Sequence, residues 1–141
     1  AMYDPRVRSR IERGAGMSAA DYLDLIAARK SWIEKMQTAI APYDALLSPT
    51  TPITAPTIAS LAPATDQNLE ADAQRDAEFV RVNALLLRNT SIINMLDGCA
   101  LSLPCHLANE LPMGLMVWHA GLHDDDVLHI SQRIEAALNQ E

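Results

Sequence analysis

The chain has 141 residues, 49% of them hydrophobic and 21% charged, with a net charge of -7 and a pI near 4.9. A nucleic-acid surface needs clustered Lys and Arg. The nearest approach to one, Arg6, Arg8, Arg10 and Arg13, is interleaved with Asp4 and Glu12 and has no aromatic platform, so nucleic acid is excluded as a partner. The longest apolar runs, such as Ala84-Leu85-Leu86-Leu87, fall far short of the roughly 20 residues a membrane span needs, so no membrane association is expected either.

In chain order, Tyr3-Asp4-Pro5 reads as a turn and Arg6 to Arg13 as a short helix stopped by Gly14 and Gly16. Ser18 followed by Asp21 resembles a capping box with Asp in place of Glu. It opens a helical period at Tyr22, Leu25, Ile26, Arg29, Ile33, Met36 and Ile40, which Pro42 ends. Asp44 to Ser48 is too short and apolar for a helix and predicts a buried strand. Four prolines, Pro49, Pro52, Pro56 and Pro63, with Thr50, Thr51, Thr54, Thr57 and Thr65 around them, describe a long irregular loop. From about Asp72 the helical period returns through Phe79, Val82, Leu86, Asn89, Ile93 and Leu96. Leu85 and Ile92 widen this stripe, which predicts burial on more than one side, and Gly98 is the expected C-cap. Alternation at Cys99, Leu101, Leu103 and Cys105 predicts a strand. After the turn at Leu111 to Gly114, the run Leu115 to Trp118 predicts a strand covered on both faces. Asp124, Asp125 and Asp126 then suit the start of a last helix with Val127, Ile130, Ile134 and Leu138 facing inward. Helix, strand, loop, helix, strand, strand, helix is an α/β layer arrangement, and three strands alone make a thin sheet.

Several residue sets invite a chemical reading. Cys99 and Cys105 lie about 20 Å apart along a strand rising about 3.3 Å per residue, beyond the reach of a disulfide. Unpaired thiols suit a reducing compartment, and with no export signal at the start the expected location is cytoplasmic. Cys105 and His106 point to opposite faces of an extended chain, so they do not form a nucleophile and base, and Cys105 reads as a core thiol. His119, His123 and His129 stand near the three aspartates, but Gly121 interrupts any helix that would align His119 with His123, so no metal site is expected. No cofactor is expected.

The segments Tyr3-Asp4-Pro5-Arg6-Val7, Ser18-Ala19-Ala20-Asp21-Tyr22, Leu46-Leu47-Ser48-Pro49-Thr50-Thr51-Pro52, Arg88-Asn89-Thr90, Asn94-Met95-Leu96-Asp97, Ser102-Leu103-Pro104-Cys105 and Leu111-Pro112-Met113-Gly114-Leu115-Met116 follow one another in a single order. Together they resemble the C-terminal portion of amidases of the amidase signature family, from Tyr3 to Leu138. The resemblance implies a mixed sheet with helices on both faces, and hydrolysis of a carboxamide without a metal. In such enzymes a nucleophilic Ser forms an acyl-enzyme, a Lys acts as base through a second Ser in a cis peptide, and a Gly-Ser-rich loop holds the oxyanion. None of these residues can be placed here. The five glycines never form a Gly-Ser-rich loop, and Lys30 and Lys35 both belong to the first long helix, whereas a base Lys needs burial. The chain over residues 1–141 is therefore expected to be an inactive portion of an amidase whose catalytic core lies elsewhere, its partner a small-molecule amide in the intact enzyme. By the same resemblance Thr51, Asn94, Asp97 and Asp124 would wall the acyl pocket. Apolar surface left uncovered would make the isolated chain self-associate. The competing reading is a non-catalytic module that binds or dimerises through the Tyr22 to Ile40 helix.

Overall fold

A computed structural model describes residues 2–65 and 67–139. The chain opens with α1 (Pro5–Glu12), where Asp4 Oδ1 accepts the Arg6 backbone N–H at 2.8 Å and Pro5 takes the first-turn position that needs no donor. A 3-10 turn over Arg13–Gly16 leads to α2 (Ala19–Ile40). The expected capping box is present there, with the Asp21 N–H donating to Ser18 Oγ at 3.2 Å and the Ser18 N–H to Asp21 Oδ2 at 2.8 Å. Strand β1 (Leu46–Pro49) and a 3-10 turn over Ile58–Leu61 precede α3 (Leu69–Leu96). That helix starts a turn earlier than its apolar period, because Asn68 Oδ1 caps the Ala71 N–H at 3.1 Å. Strands β2 (Cys99–Pro104) and β3 (Gly114–His119) and helix α4 (Asp124–Leu138) complete the described chain.

The three strands form one antiparallel sheet in the order β1-β3-β2, with Leu46 opposite Trp118 and Cys99 opposite His119. Residues directly opposite share a face, so the register sorts the core into two layers. On one side Leu103 and Val117 pack with Val127 of α4, joined by Leu101, Cys99, Ile130 and Ile134. On the other, Trp118 and Leu46 meet Ile40 of α2, Leu96 of α3 and Ala120, with Trp32, Ile33 and Met36 around them. Helices thus cover both faces of an α/β fold, and β3, paired on both edges, is the buried strand that its continuous apolar run predicts.

Three expectations fail in instructive ways. β1 is not buried throughout: it is an edge strand that alternates, and Leu47 faces solvent because α4 lies over β2 and β3 instead. The broad stripe of α3 is buried only along Val82, Ile93 and Leu96, while Leu87, Ile92 and Met95 stay exposed. Cys105 is no core thiol: β2 ends at Pro104, the one residue there that cannot donate to a ladder, and Cys105 beyond it is exposed.

Candidate functional site

The end of the sheet where β2 begins and β3 finishes gathers most of the residues that the sequence marks out. Helix α3 terminates in a Schellman motif: the Asp97 N–H donates to Asn94 O at 3.4 Å and the Gly98 N–H to Ile93 O at 3.0 Å. The left-handed residue is Asp97, at φ 53°, and not Gly98 as the sequence suggests. Gly98 is needed for a different reason. A Cβ there would sit 2.5 Å from the His119 carbonyl oxygen, and a Cβ on Gly121 would sit 2.5 Å from the Asp97 carbonyl oxygen. Two backbone turns, 97–98 and 119–121, therefore lie against each other with no room for a side chain between them.

Asp97 is exposed and paired with Arg29 of α2, whose Nη2 also donates to the Asn94 carbonyl at 3.3 Å. Asn94 is exposed in the last turn of α3. Asp124 stands exposed in the first turn of α4, where the helix dipole favours a carboxylate, but the N-cap itself is His123 and it makes no side-chain cap. The structure thus brings Asn94, Asp97 and Asp124 to one end of the sheet. Between them lies Cys99, its Sγ donating to Ala120 O at 3.3 Å. Burial pushes this thiol up from its ordinary value and the nearby Asp124 charge adds to the effect, so Cys99 stays protonated and is a poor nucleophile.

His119 and His123 also meet here, with ring centroids 3.9 Å apart, although no helix aligns them: the chain turns through Gly121 before α4 begins. The intervening residues form a turn rather than a helix, reversed by Leu122 in the left-handed region at φ 69°. His119 is buried and its Nε2 lies 3.1 Å from the Tyr43 carbonyl, tying the segment before β1 to the end of β3. His123 Nδ1 lies 3.0 Å from Asp126 Oδ2. Among the described residues no group of three His, Cys, Asp or Glu side chains is arranged to hold a metal. These histidines line an open cleft of about 1200 Å³ between α4 and residues 41–47, with Asp44, Asp126 and Arg133 also on its walls. The cleft exists because β1 extends beyond the cover of α4, an arrangement that no local pattern encodes.

Thr51 is elsewhere. It follows β1 at the opposite end of the sheet, separated from the Asp97 end by the length of β3, about 17 Å for six residues rising about 3.4 Å each. There the Thr50 N–H donates to Gly114 O at 2.8 Å, Thr50 Oγ1 and Ser102 Oγ are 2.5 Å apart, and Asn89 Nδ2 of α3 donates to Pro49 O at 2.7 Å. Thr51 Oγ1 donates to Ile53 O at 3.1 Å, which shapes the start of the loop. Lys30 and Lys35 are both exposed on α2, on the face where long cationic side chains ordinarily sit.

The amidase family profile matches residues 1–128. Among characterised relatives, the chain is 29% identical over 142 residues to 2-amino-5-chloromuconic acid deaminase of Comamonas testosteroni, covering 97% of this chain and 27% of that protein. It is 30% identical over 138 residues to a glutamyl-tRNA(Gln) amidotransferase subunit of Desulforamulus reducens, covering 94% of this chain and 25% of that one. A crystal structure of an amidase superposes with a TM-score of 0.68 at 25% identity, over 96% of this chain and 29% of the other. The chain thus spans about a quarter of the length of these relatives. With a profile match over nearly its whole length and an amidase as its structural neighbour, the chain belongs to the amidase family.

Proposed function

We propose that residues 1–141 are the C-terminal portion of an amidase signature domain that hydrolyses the C–N bond of small carboxamides, with its Ser-cisSer-Lys triad outside this chain. The observation that carries this reading is the profile match over residues 1–128 in a chain that covers only 25 to 29% of its relatives and has both its lysines exposed. In this reading the chain supplies sheet, helices and part of the acyl pocket. Asn94, Asp97 and Asp124 form a polar wall at one end of the sheet and Thr51 belongs to a second wall at the other. The Arg29 partnership orients the Asp97 carboxylate, and Asp124 holds a negative charge where an amide N–H or a departing ammonia could be received.

The test is ammonia release from a panel of simple carboxamides. The polypeptide that carries this chain should hydrolyse members of the panel, and residues 1–141 alone should not. Turnover by residues 1–141 would refute the absence of catalytic groups, and silence from the carrying polypeptide would refute the amide chemistry.

The same reading assigns the protein to the cytoplasm, consistent with two free cysteines and with no described helix long and apolar enough to cross a membrane. It also expects self-association of the isolated chain. Residues 17–28 are exposed throughout: Met17 stands just before α2, and Tyr22, Leu25 and Ile26 lie on a stretch of it too short to be stable unpacked. Light scattering that finds a monomer at micromolar concentration would count against it.

A further inference from the structure

The loop between β1 and α3 is long, rich in proline and exposed at its middle, the profile of a mobile lid. Its fastenings say otherwise. The near end is tied by the Thr50 N–H to Gly114 and by Asn89 to Pro49. At the far end the Ile58–Leu61 turn is capped by Thr57, whose Oγ1 accepts the Ser60 N–H at 3.3 Å. The Thr65 N–H then donates to Asp72 Oδ2 at 3.2 Å, and Asp72, only 5% exposed, is paired with Arg75.

Between these points stands Arg6. Its side chain is 12% exposed, and its guanidinium touches three separate parts of the chain at once. Nη1 donates to the Leu61 carbonyl at 3.1 Å. Nε and Nη2 donate to the two oxygens of Asp4 at 3.0 and 2.8 Å. Asp76 Oδ1 of α3 lies 3.7 Å from Nη1, and the group stacks 4.0 Å over the Phe79 ring. A planar fork with donors along its edges and a face free to stack can do this, and an ammonium cannot. One residue of the loop, Ile58, is left 91% exposed at the start of the clamped turn.

We infer that Arg6 is the positioning residue of the 50–65 loop, holding it as a rigid wall that discriminates amides by the bulk of their apolar group instead of closing over them. The inference rests on the amide reading above for its substrate and on the Arg6 contacts for its mechanism. Arg6 acts through the loop and touches no substrate. Its hydrogen bonds hold the Asp4 carboxyl down at about 2, so the clamp stays charged on both sides at any pH where such an enzyme would be assayed.

The experiment compares wild type, Arg6→Lys and Phe79→Leu in the polypeptide that carries this chain, by hydrogen exchange over residues 58–65 and by kcat and KM on acetamide and phenylacetamide. Arg6→Lys keeps the charge and loses the fork and the stack; Phe79→Leu loses only the stack and serves if the first variant does not fold. The expected result is faster exchange confined to the loop, a change of about tenfold or more in the phenylacetamide-to-acetamide ratio of kcat/KM, and an unchanged kcat on acetamide. Wild-type exchange over 58–65 in a folded variant overturns the clamp. Faster exchange with an unchanged ratio overturns the role in discrimination and leaves Arg6 purely structural. If the wild-type polypeptide hydrolyses neither amide nor any other in the panel, the amide reading falls and the discrimination role with it, while the exchange data still decide whether Arg6 holds the loop.

Discussion

The same substitution, glycine to alanine, should have opposite signs at two places in this chain. At Gly98 the new Cβ would lie 2.5 Å from the His119 carbonyl oxygen and 3.2 Å from Ile93 Cγ2. The closer atom is backbone in the middle of the interlocked turns, so it cannot rotate away, and the turns must separate. Overpacking of this kind costs about 1–3 kcal/mol. No described glycine has a positive φ, so alanine adopts the backbone freely and recovers roughly 0.4–1 kcal/mol through the unfolded chain, leaving a net loss centred on about 1.3 kcal/mol and no larger than about 2.6 kcal/mol. At Gly14 nothing lies within 4 Å of the new Cβ, so only the favourable entropic contribution survives and Gly14→Ala should gain about 0.4–1 kcal/mol. Urea unfolding followed by tryptophan fluorescence measures both, because Trp32 and Trp118 pack against the Ile40, Leu96 and Ala120 cluster beside Gly98. Protein concentration must be held constant, since association shifts the apparent midpoint. A Gly98→Ala variant as stable as wild type, or a destabilised Gly14→Ala, would refute the claim that backbone proximity at 97–98 and 119–121 is what demands glycine.

Three further outcomes follow from burial and charge. Leu96 is 1% exposed and links α3 to α2 and Ala120, so Leu96→Ala should lose about 2–5 kcal/mol, whereas Leu87→Ala on the exposed side of the same helix should stay within ~0.5 kcal/mol; equal losses on denaturation would refute the one-sided burial of α3. The Asp4 carboxyl, lowered in the folded chain from 3.8 to about 2, gives stability that is fully present above its unfolded value and is lost as pH falls through the folded one. The difference between wild type and Asp4→Asn in acid unfolding should therefore hold steady above that range and shrink towards pH 2, and a difference that grew on acidification would have the wrong sign. Iodoacetamide at neutral pH should label the exposed Cys105 well before Cys99, whose thiol is raised by burial; equal rates in peptide mass mapping would contradict that environment.

Much of the fold was legible because it rests on local codes. The capping box at Ser18 and Asp21, the period from Tyr22 to Ile40 and the alternation after Gly98 each describe a backbone conformation that neighbouring residues impose on one another. What failed was everything set by which element covers which. Leu47 looks like a core residue until α4 is seen to lie over the other two strands. The apolar breadth of α3, read from Leu85 and Ile92, likewise does not reveal that Ile92 stays exposed while Val82, Ile93 and Leu96 are buried. Gly98 shows the same limit in miniature. Glycine at a helix end reads as the left-handed residue, yet Asp97 takes that conformation with φ 53° while Gly98 answers to the carbonyl of His119, far along the chain.

The candidate site residues were named only through resemblance, and where the structure places them constrains the proposal. Asn94, Asp97 and Asp124 converge because two turns interlock, whereas Thr51 is held at the far end of β3 by Thr50, Gly114 and Asn89. A pocket touching Thr51 and Asp97 together would have to run along a face of the sheet, where α4 covers β2 and β3 on one side and α2 with the end of α3 packs on the other, leaving only the flank of β1 open. Under the amide reading proposed above, the two groups would act as separate half-walls. The substitutions should behave accordingly: changes at Asp97 and at Asp124 share a neighbourhood and should couple in a double-mutant cycle, while either should add independently to a change at Thr51.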